Sequence, residues 1–262
     1  MTIFQSIVLG AVQGITEFLP ISSSGHLVLL QKILNIDEPS LFFDTMVHVG
    51  TLGAVVIVLQ REVLAMLKKP FQQLTLLLVV ATLPTVAAAL LFKDTIENAF
   101  QGGALLGPAF LFTACALALS EWVSARAAHA PSKHLDEIKL SDALVIGVCQ
   151  SLAILPAVSR SGLTLAGSLL RNIDRGDAAR FSFLLSIPAI LGALVLQVAS
   201  LGEGGPAISP VPLAAGTLTA FATGLLSIKL MLKIVREKRL FGFAIYTAAL
   251  GILCLIFAKT LQ

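Results

Sequence analysis

The sequence predicts an all-α polytopic membrane protein made of inverted repeats, and three features predict it. First, 56% of the 262 residues are hydrophobic and only 13% are charged, with a mean hydropathy of +0.92. Soluble domains carry about 45–50% apolar and about 25% charged residues. Second, several apolar runs approach the ~20 residues that a helix needs to cross a bilayer. Third, two other apolar stretches are broken by proline, glycine and hydroxyl residues, and they match each other at a fixed spacing. The composition excludes an ordinary soluble domain and lies far from the charged, weakly hydrophobic pattern of disorder. The net charge of +3 is small, and the basic residues cluster between apolar runs. That pattern reads as topology, so no nucleic-acid partner is expected.

Taken along the chain, six full spans are expected at 41–60, 72–92, 104–122, 181–201, 211–228 and 241–258, each near the crossing length. Met1 to Gln5 lacks a basic leader region, so no cleaved leader is expected. Residues 2–35 are interrupted by Glu17, Pro20 and the run Ser22-Ser23-Ser24-Gly25-His26, and residues 141–170 by Pro156 and Ser159-Arg160-Ser161-Gly162. Each half is too short to span, so each stretch reads as a re-entrant hairpin: helix, non-helical tip, helix. Irregular backbone at membrane depth is tolerated only when protein or a polar cavity surrounds it.

The hairpins echo each other. Leu9-Gly10, Gln13, Ser22, Ser24 and Gly25 match Ile146-Gly147, Gln150, Ser159, Ser161 and Gly162 at one offset of 137 residues. Leu52 to Val56 echo Leu191 to Val195 at an offset of 139. The chain therefore reads as one membrane domain over 1–262: repeat one at about 1–122, a cytoplasmic linker at about 123–140, and repeat two at about 141–262. A hairpin plus three spans is an odd count of crossings, so the second copy enters upside down, a known architecture with broken helices meeting at depth. Placing loops 61–70, 123–140, 171–180 and 229–239 on one side gathers 14 of the 18 Lys and Arg residues there, which makes that side cytoplasmic. Both termini then fall outside. Asp37, Glu38, Asp94, Glu97 and Glu203 are expected in outer loops, and Asp136, Glu137, Asp174, Asp177 and Glu237 in cytoplasmic ones. Cys115, Cys149 and Cys254 lack metal-type spacing and read as buried small residues.

The chemistry concentrates in the tips. Gln13 and Glu17 are four apart and share a helix face. A carboxylate in an apolar run is costly, which marks it as functional. Pro20 ends that helix, and Ser22, Ser23, Ser24 and Gly25 open the next, whose free N–H groups and dipole favour an anion. His26 follows within one turn. In the second tip, Arg160 offers a planar donor fork suited to phosphate, joined by Ser159, Ser161, Thr164 and the backbone N–H groups beside Gly162. Brought together, these groups suit phosphoryl transfer. Ser23 or His26 is the candidate nucleophile. Glu17 is left with three roles: orienting His26, acting as base, or holding a divalent ion such as Mg2+, which keeps several waters. Asp44 and His48, four apart in a span, either support the site or hydrogen-bond to each other. An anion transporter or lipid flippase on inverted repeats is the alternative reading, although a transporter needs no nucleophile beside its binding site.

The segments Gln13–His26 and Pro156–Thr164 resemble the two signature motifs of the undecaprenyl-diphosphate phosphatase family, also called the bacitracin-resistance family. Segments Phe43–Leu52 and Arg180–Pro188 also resemble family segments, so the likeness covers essentially the whole chain. The resemblance implies interlocked inverted repeats with two re-entrant hairpins. It implies hydrolysis of undecaprenyl diphosphate to the monophosphate and inorganic phosphate in the bacterial plasma membrane, which recycles the carrier for cell-wall synthesis and protects against bacitracin. It further implies an outward-facing site and a divalent cation, Mg2+ or Ca2+, with Glu17 its candidate ligand. By resemblance, Gln13 and Glu17 fall on the acidic motif, and Ser22, Ser23, Ser24 and His26 on the serine-histidine motif. Ser159, Arg160, Ser161 and Thr164 fall on the arginine motif. The expected partners are the polyprenyl diphosphate and membrane lipid, and a homodimer is left open. Two positions depart from the common pattern. Gln13 stands where many members carry glutamate, and Ala157 stands where glycine usually follows the proline, which would be strained if that position needs φ > 0.

Overall fold

A computed structural model describes residues 1–36, 41–92, 105–126, 131–200, 209–237 and 240–257, with side chains to 195 in the fourth segment. Asp37, Glu38, Lys93, Asp94, Glu97, Glu203, Lys238, Arg239 and Lys259 lie outside the described residues.

Helices and their connections make up the described residues. The first hairpin is α1 (Ile3–Thr16) and α2 (Ser23–Ile33); then come α3 (Leu41–Val58), α4 (Gln60–Lys68), α5 (Gln73–Leu91) and α6 (Leu106–Arg126). The second hairpin is α7 (Leu140–Leu152) and α8 (Arg160–Leu170), followed by α9 (Arg175–Ser200), α10 (Pro210–Glu237) and α11 (Phe241–Ile256). Among the described residues five helices are long and apolar enough to cross a membrane: α3, α5, α6, α9 and α10. The protein is therefore a multi-pass membrane protein. At 16 residues, α11 is shorter.

Several expected loops are helical instead. Residues 60–68 form α4, none of whose residues is buried, and α6 and α10 run on through Arg126 and Glu237. A helix satisfies its backbone wherever it ends, so hydropathy marks the hydrocarbon boundary and not the helix terminus. Cys115 is exposed rather than buried, because it faces outward from α6 into the zone that lipid would cover; Cys149 is half-buried and Cys254 buried.

The hairpins are built alike. Helices α2 and α8 have 11 residues each, and Ser23 and Arg160 begin them 137 residues apart. Ser22 Oγ accepts from Gly25 N at 3.3 Å, and Ser159 Oγ accepts from Gly162 N at 3.0 Å, so each tip serine caps its helix. Both helices stop at an asparagine in the left-handed region, Asn35 (φ 50) and Asn172 (φ 57).

The first hairpin does not pack mainly on its own half. Helix α1 lies along α10, and α7 lies along α5. Gly10 makes the first contact: an added Cβ would sit 2.2 Å from the Gly216 carbonyl oxygen. Gly147 makes the second, 2.4 Å from the Ala81 oxygen. In lipid such close approach supplies the packing that hydrophobic exclusion cannot. Helices α3 and α9 contact each other between these pairs, and α6 pairs with α11. Beneath the tips, Phe18 meets Phe183 edge-on with centroids 5.3 Å apart, both fully buried.

The basic end is braced by buried carboxylates. Glu121 takes two bonds from Arg175, each at 2.7 Å, and one from the Leu240 N–H at 2.6 Å. Asp142 takes Lys133 at 2.9 and 3.0 Å and Arg171 Nε at 2.7 Å. Buried charges need such pairing. Glu121 passed unnoticed in the sequence, hidden at the end of an apolar run.

Candidate active site

The two tips meet. Ser161 Oγ donates to the Leu19 carbonyl at 2.9 Å, and Arg160 Nη2 donates to Glu17 Oε1. Around this contact lies a cavity of about 400 Å³. Glu17, Ser22, Ser23 and Ser24 line it from the first tip, and Ser159, Arg160 and Ser161 from the second. Asp44 and His48 of α3, Thr85 of α5 and Gln150 of α7 add polar groups, while Leu27, Val28, Leu155, Ile190 and Ala193 are among the apolar ones.

Glu17 is the centre of the hydrogen bonding. It is buried, and its Oε2 accepts from Ser23 Oγ at 2.6 Å and from Gln13 Nε2 at 3.0 Å. His48 Nε2 stands 3.5 Å from the same oxygen. Glu17 caps the end of α1 in a helical conformation, which keeps it in register with Gln13 one turn earlier. Arg160 also donates Nη1 to the Ser182 carbonyl at 3.2 Å. Two anchors fix the guanidinium plane, and among the described residues its remaining N–H groups have no acceptor.

His48 Nδ1 lies 2.6 Å from the Asp44 backbone carbonyl. A carbonyl only accepts, so Nδ1 carries the proton and Nε2 faces Glu17. The Asp44 carboxylate instead accepts from Gln31 Nε2 at 2.9 Å. His48 and Asp44 are thus linked through backbone, and His48 reaches the site.

His26 takes a different direction. Its Nδ1 donates to the Ser22 carbonyl at 2.6 Å, and Nε2 pairs with the Tyr246 hydroxyl at 2.7 Å. The ring stacks on Tyr246 and meets Phe110 edge-on. Its hydrogen-bond partners are Ser22 and Tyr246, not Glu17, and it is not among the cavity-lining residues. Gln13 sits behind Glu17. Gly25 and Gly162 give their N–H groups to the capping serines, and Thr164 Oγ1 bonds Ser182 Oγ at 2.6 Å, holding α8 to α9.

The sequence reading left His48 undecided and missed Thr85 and Tyr246. Gln150 was visible only as the match of Gln13, and Tyr246, the single tyrosine, gave no other signal. Gln150 Nε2 donates to Thr85 Oγ1 at 3.0 Å.

The oxygen donors near Glu17 suit a hard cation. Gln13 Nε2 donates to the Glu17 carboxylate, while Oε1 of the same amide is buried and has no hydrogen-bond partner among the described residues. A carboxylate and neutral oxygens fit Mg2+ or Ca2+. Ala157 has φ 63, in the left-handed region, so the second tip does place an alanine where glycine is favoured.

Residues 6–253 match the family described as bacitracin resistance protein BacA. The chain is 45% identical over 259 residues to the undecaprenyl-diphosphatase of Carboxydothermus hydrogenoformans, covering 98% of this chain and 97% of that protein. It is 42% identical to undecaprenyl-diphosphatase 3 of Bacillus cereus, covering 99% of each. It is 39% identical to the undecaprenyl-diphosphatase of Desulforapulum autotrophicum, covering 98% of each. With near-complete coverage of both partners in every pairing, the chain belongs to the bacitracin resistance protein BacA family.

Proposed function

We propose that this protein hydrolyses undecaprenyl diphosphate to undecaprenyl phosphate and inorganic phosphate, recycling the lipid carrier of the cell wall and conferring bacitracin resistance. The observation that carries this reading is Ser23, Glu17 and Arg160 joined by hydrogen bonds in one cavity that also has apolar walls. The polar groups receive the diphosphate, and Leu27, Val28, Leu155 and Ile190 receive the first isoprene units. Arg160 and the starts of α2 and α8 stabilise charge on the terminal phosphoryl group. Ser23 Oγ attacks the terminal phosphorus and passes its proton to Glu17. The bond from that phosphorus to the bridging oxygen breaks, and the lipid monophosphate departs as an anion. Water then attacks the same phosphorus, the bond to Ser23 Oγ breaks, Oγ takes its proton back from Glu17, and phosphate leaves carrying the protons of the water. A bound Mg2+ or Ca2+, held by Glu17 with Gln13 Oε1, would neutralise charge on the phosphate oxygens.

The architecture that serves this chemistry is a pair of inverted repeats with six spans, α11 being the sixth. The equal hairpins, their common offset and the exchanged packing of α1 on α10 and α7 on α5 support it. The basic residues support a cytoplasmic basic end and a site open to the outside. Purified protein in detergent should release phosphate from undecaprenyl diphosphate. Protein that instead only moves lipid between leaflets, with no phosphate released, would be a transporter and would overturn the proposal.

A further inference from the structure

A second cavity, of about 360 Å³, opens between α9 and α10 and is lined by Arg180, Lys229, Leu232, Lys233, Arg236 and Glu237. It shares no lining residue with the catalytic cavity. Arg180 precedes Ala189, a catalytic-cavity residue of the same helix, by nine positions, or about 14 Å of helix rise.

Four cations face one carboxylate in this groove. Lys229, Lys233 and Arg236 recur at helical spacing on one face of α10. Among the described residues Lys229 and Lys233 have no ion-pair partner, and Arg236 packs over Gly176 in the first turn of α9. Arg180 is only loosely paired: Nη1 is 3.8 Å from Asp177, which also holds His134 at 3.0 Å. Its Nε is buried with no hydrogen-bond partner among the described residues. A buried N–H of a charged group is costly to leave unmatched. Topology requires positive charge at this end of the bundle. It does not require four cations around one concavity, one of them with an unmatched buried donor.

We propose that this groove is a binding site for a phosphate group, distinct from the catalytic centre. Basic pockets between helices at the membrane boundary bind anionic headgroups, and Leu232 gives the groove an apolar wall. The phosphate is supplied either by a lipid headgroup or by free phosphate, and one experiment separates the two.

Native mass spectrometry of the full chain in detergent, titrated with phosphatidylglycerol, phosphatidylcholine or inorganic phosphate, tests it. The expected result is preferential retention of one phosphate probe, weakened about ten-fold or more in the double variant Lys229→Gln/Lys233→Gln. Phosphatidylglycerol retained over phosphatidylcholine and not displaced by excess inorganic phosphate assigns a headgroup site. Direct binding of inorganic phosphate that displaces the lipid assigns a free-phosphate site. Turnover in detergent should be unchanged in the double variant. Equal retention of both lipids with no phosphate bound overturns the proposal. So does an equal loss of binding in Arg61→Gln/Lys68→Gln on α4, which would make the effect one of general surface charge.

Discussion

Arg160 and Glu17 are 143 residues apart in the chain, yet their side chains bond at the point where the two hairpin tips touch. Both side chains line the cavity, and their bond ties the first tip to the second. Glu17 is 5% exposed at its side chain and Arg160 16%, so each depends on the other for compensation. Arg160→Ala should lower kcat by about 10²–10³ and cost about 3 kcal/mol of stability by stranding a buried carboxylate. The double variant Glu17→Gln/Arg160→Gln should be inactive but more stable than Arg160→Ala. Turnover and thermal unfolding in detergent check both, and additive losses would show that the residues act separately.

Neighbouring serines should behave differently. Ser23→Ala should abolish turnover while leaving substrate binding intact, because Ser23 Oγ is the hydroxyl bonded to Glu17. Ser22→Ala removes a helix cap and should cost about 1 kcal/mol while keeping most turnover. A Ser23→Ala enzyme working within ten-fold of wild type (about 1.4 kcal/mol of barrier) would reduce Ser23 to a hydrogen-bond donor.

His48→Ala should reduce kcat by about 10² with little change in KM, since the ring faces Glu17 rather than the apolar walls. Asp44→Asn should be milder, because His48 is anchored on the Asp44 backbone carbonyl, which the substitution keeps. Equal defects would mean that the Asp44 carboxylate acts in the reaction itself.

Ala157 offers a test of backbone strain. Relief of a left-handed alanine gains about 1 kcal/mol, and the lost methyl burial costs about 0.8 kcal/mol, so Ala157→Gly should stay within about 1 kcal/mol of wild type. Ala157→Val puts a β-branched residue at φ 63 and should destabilise the tip severely. Thermal unfolding of the two variants checks this.

The basic end carries a pH response. The hydrogen bond that His134 Nδ1 donates to the Asp177 carboxylate, with Asp174 and Glu137 nearby, raises the pKa of exposed His134 above the ordinary histidine value. The contact therefore stabilises the fold fully below about pH 6.5, and this contribution fades as pH rises through the raised value. Hydrogen-exchange protection factors across 131–137, corrected for the intrinsic pH dependence of exchange, should fall over that rise in wild type and stay constant in His134→Gln.

Apolar run length and the 137-residue echo were enough to read five of the six expected spans and the two broken stretches. These are local properties: hydrophobic length, proline position and capping chemistry act within a few residues. The echo also shows where the halves differ, since Glu17 corresponds to Ile154 and Ser23 to Arg160. Those two mismatches supply the charges of the site. Only the tertiary structure decided which side chains converge on them. His48, three helices into the chain, reached Glu17, while His26, nine residues away from it, turned to Tyr246. A side chain's direction depends on how its helix is rotated and what packs against it. Here that was set by contacts such as Gly10 on Gly216 and Phe18 on Phe183, between residues far apart in the chain.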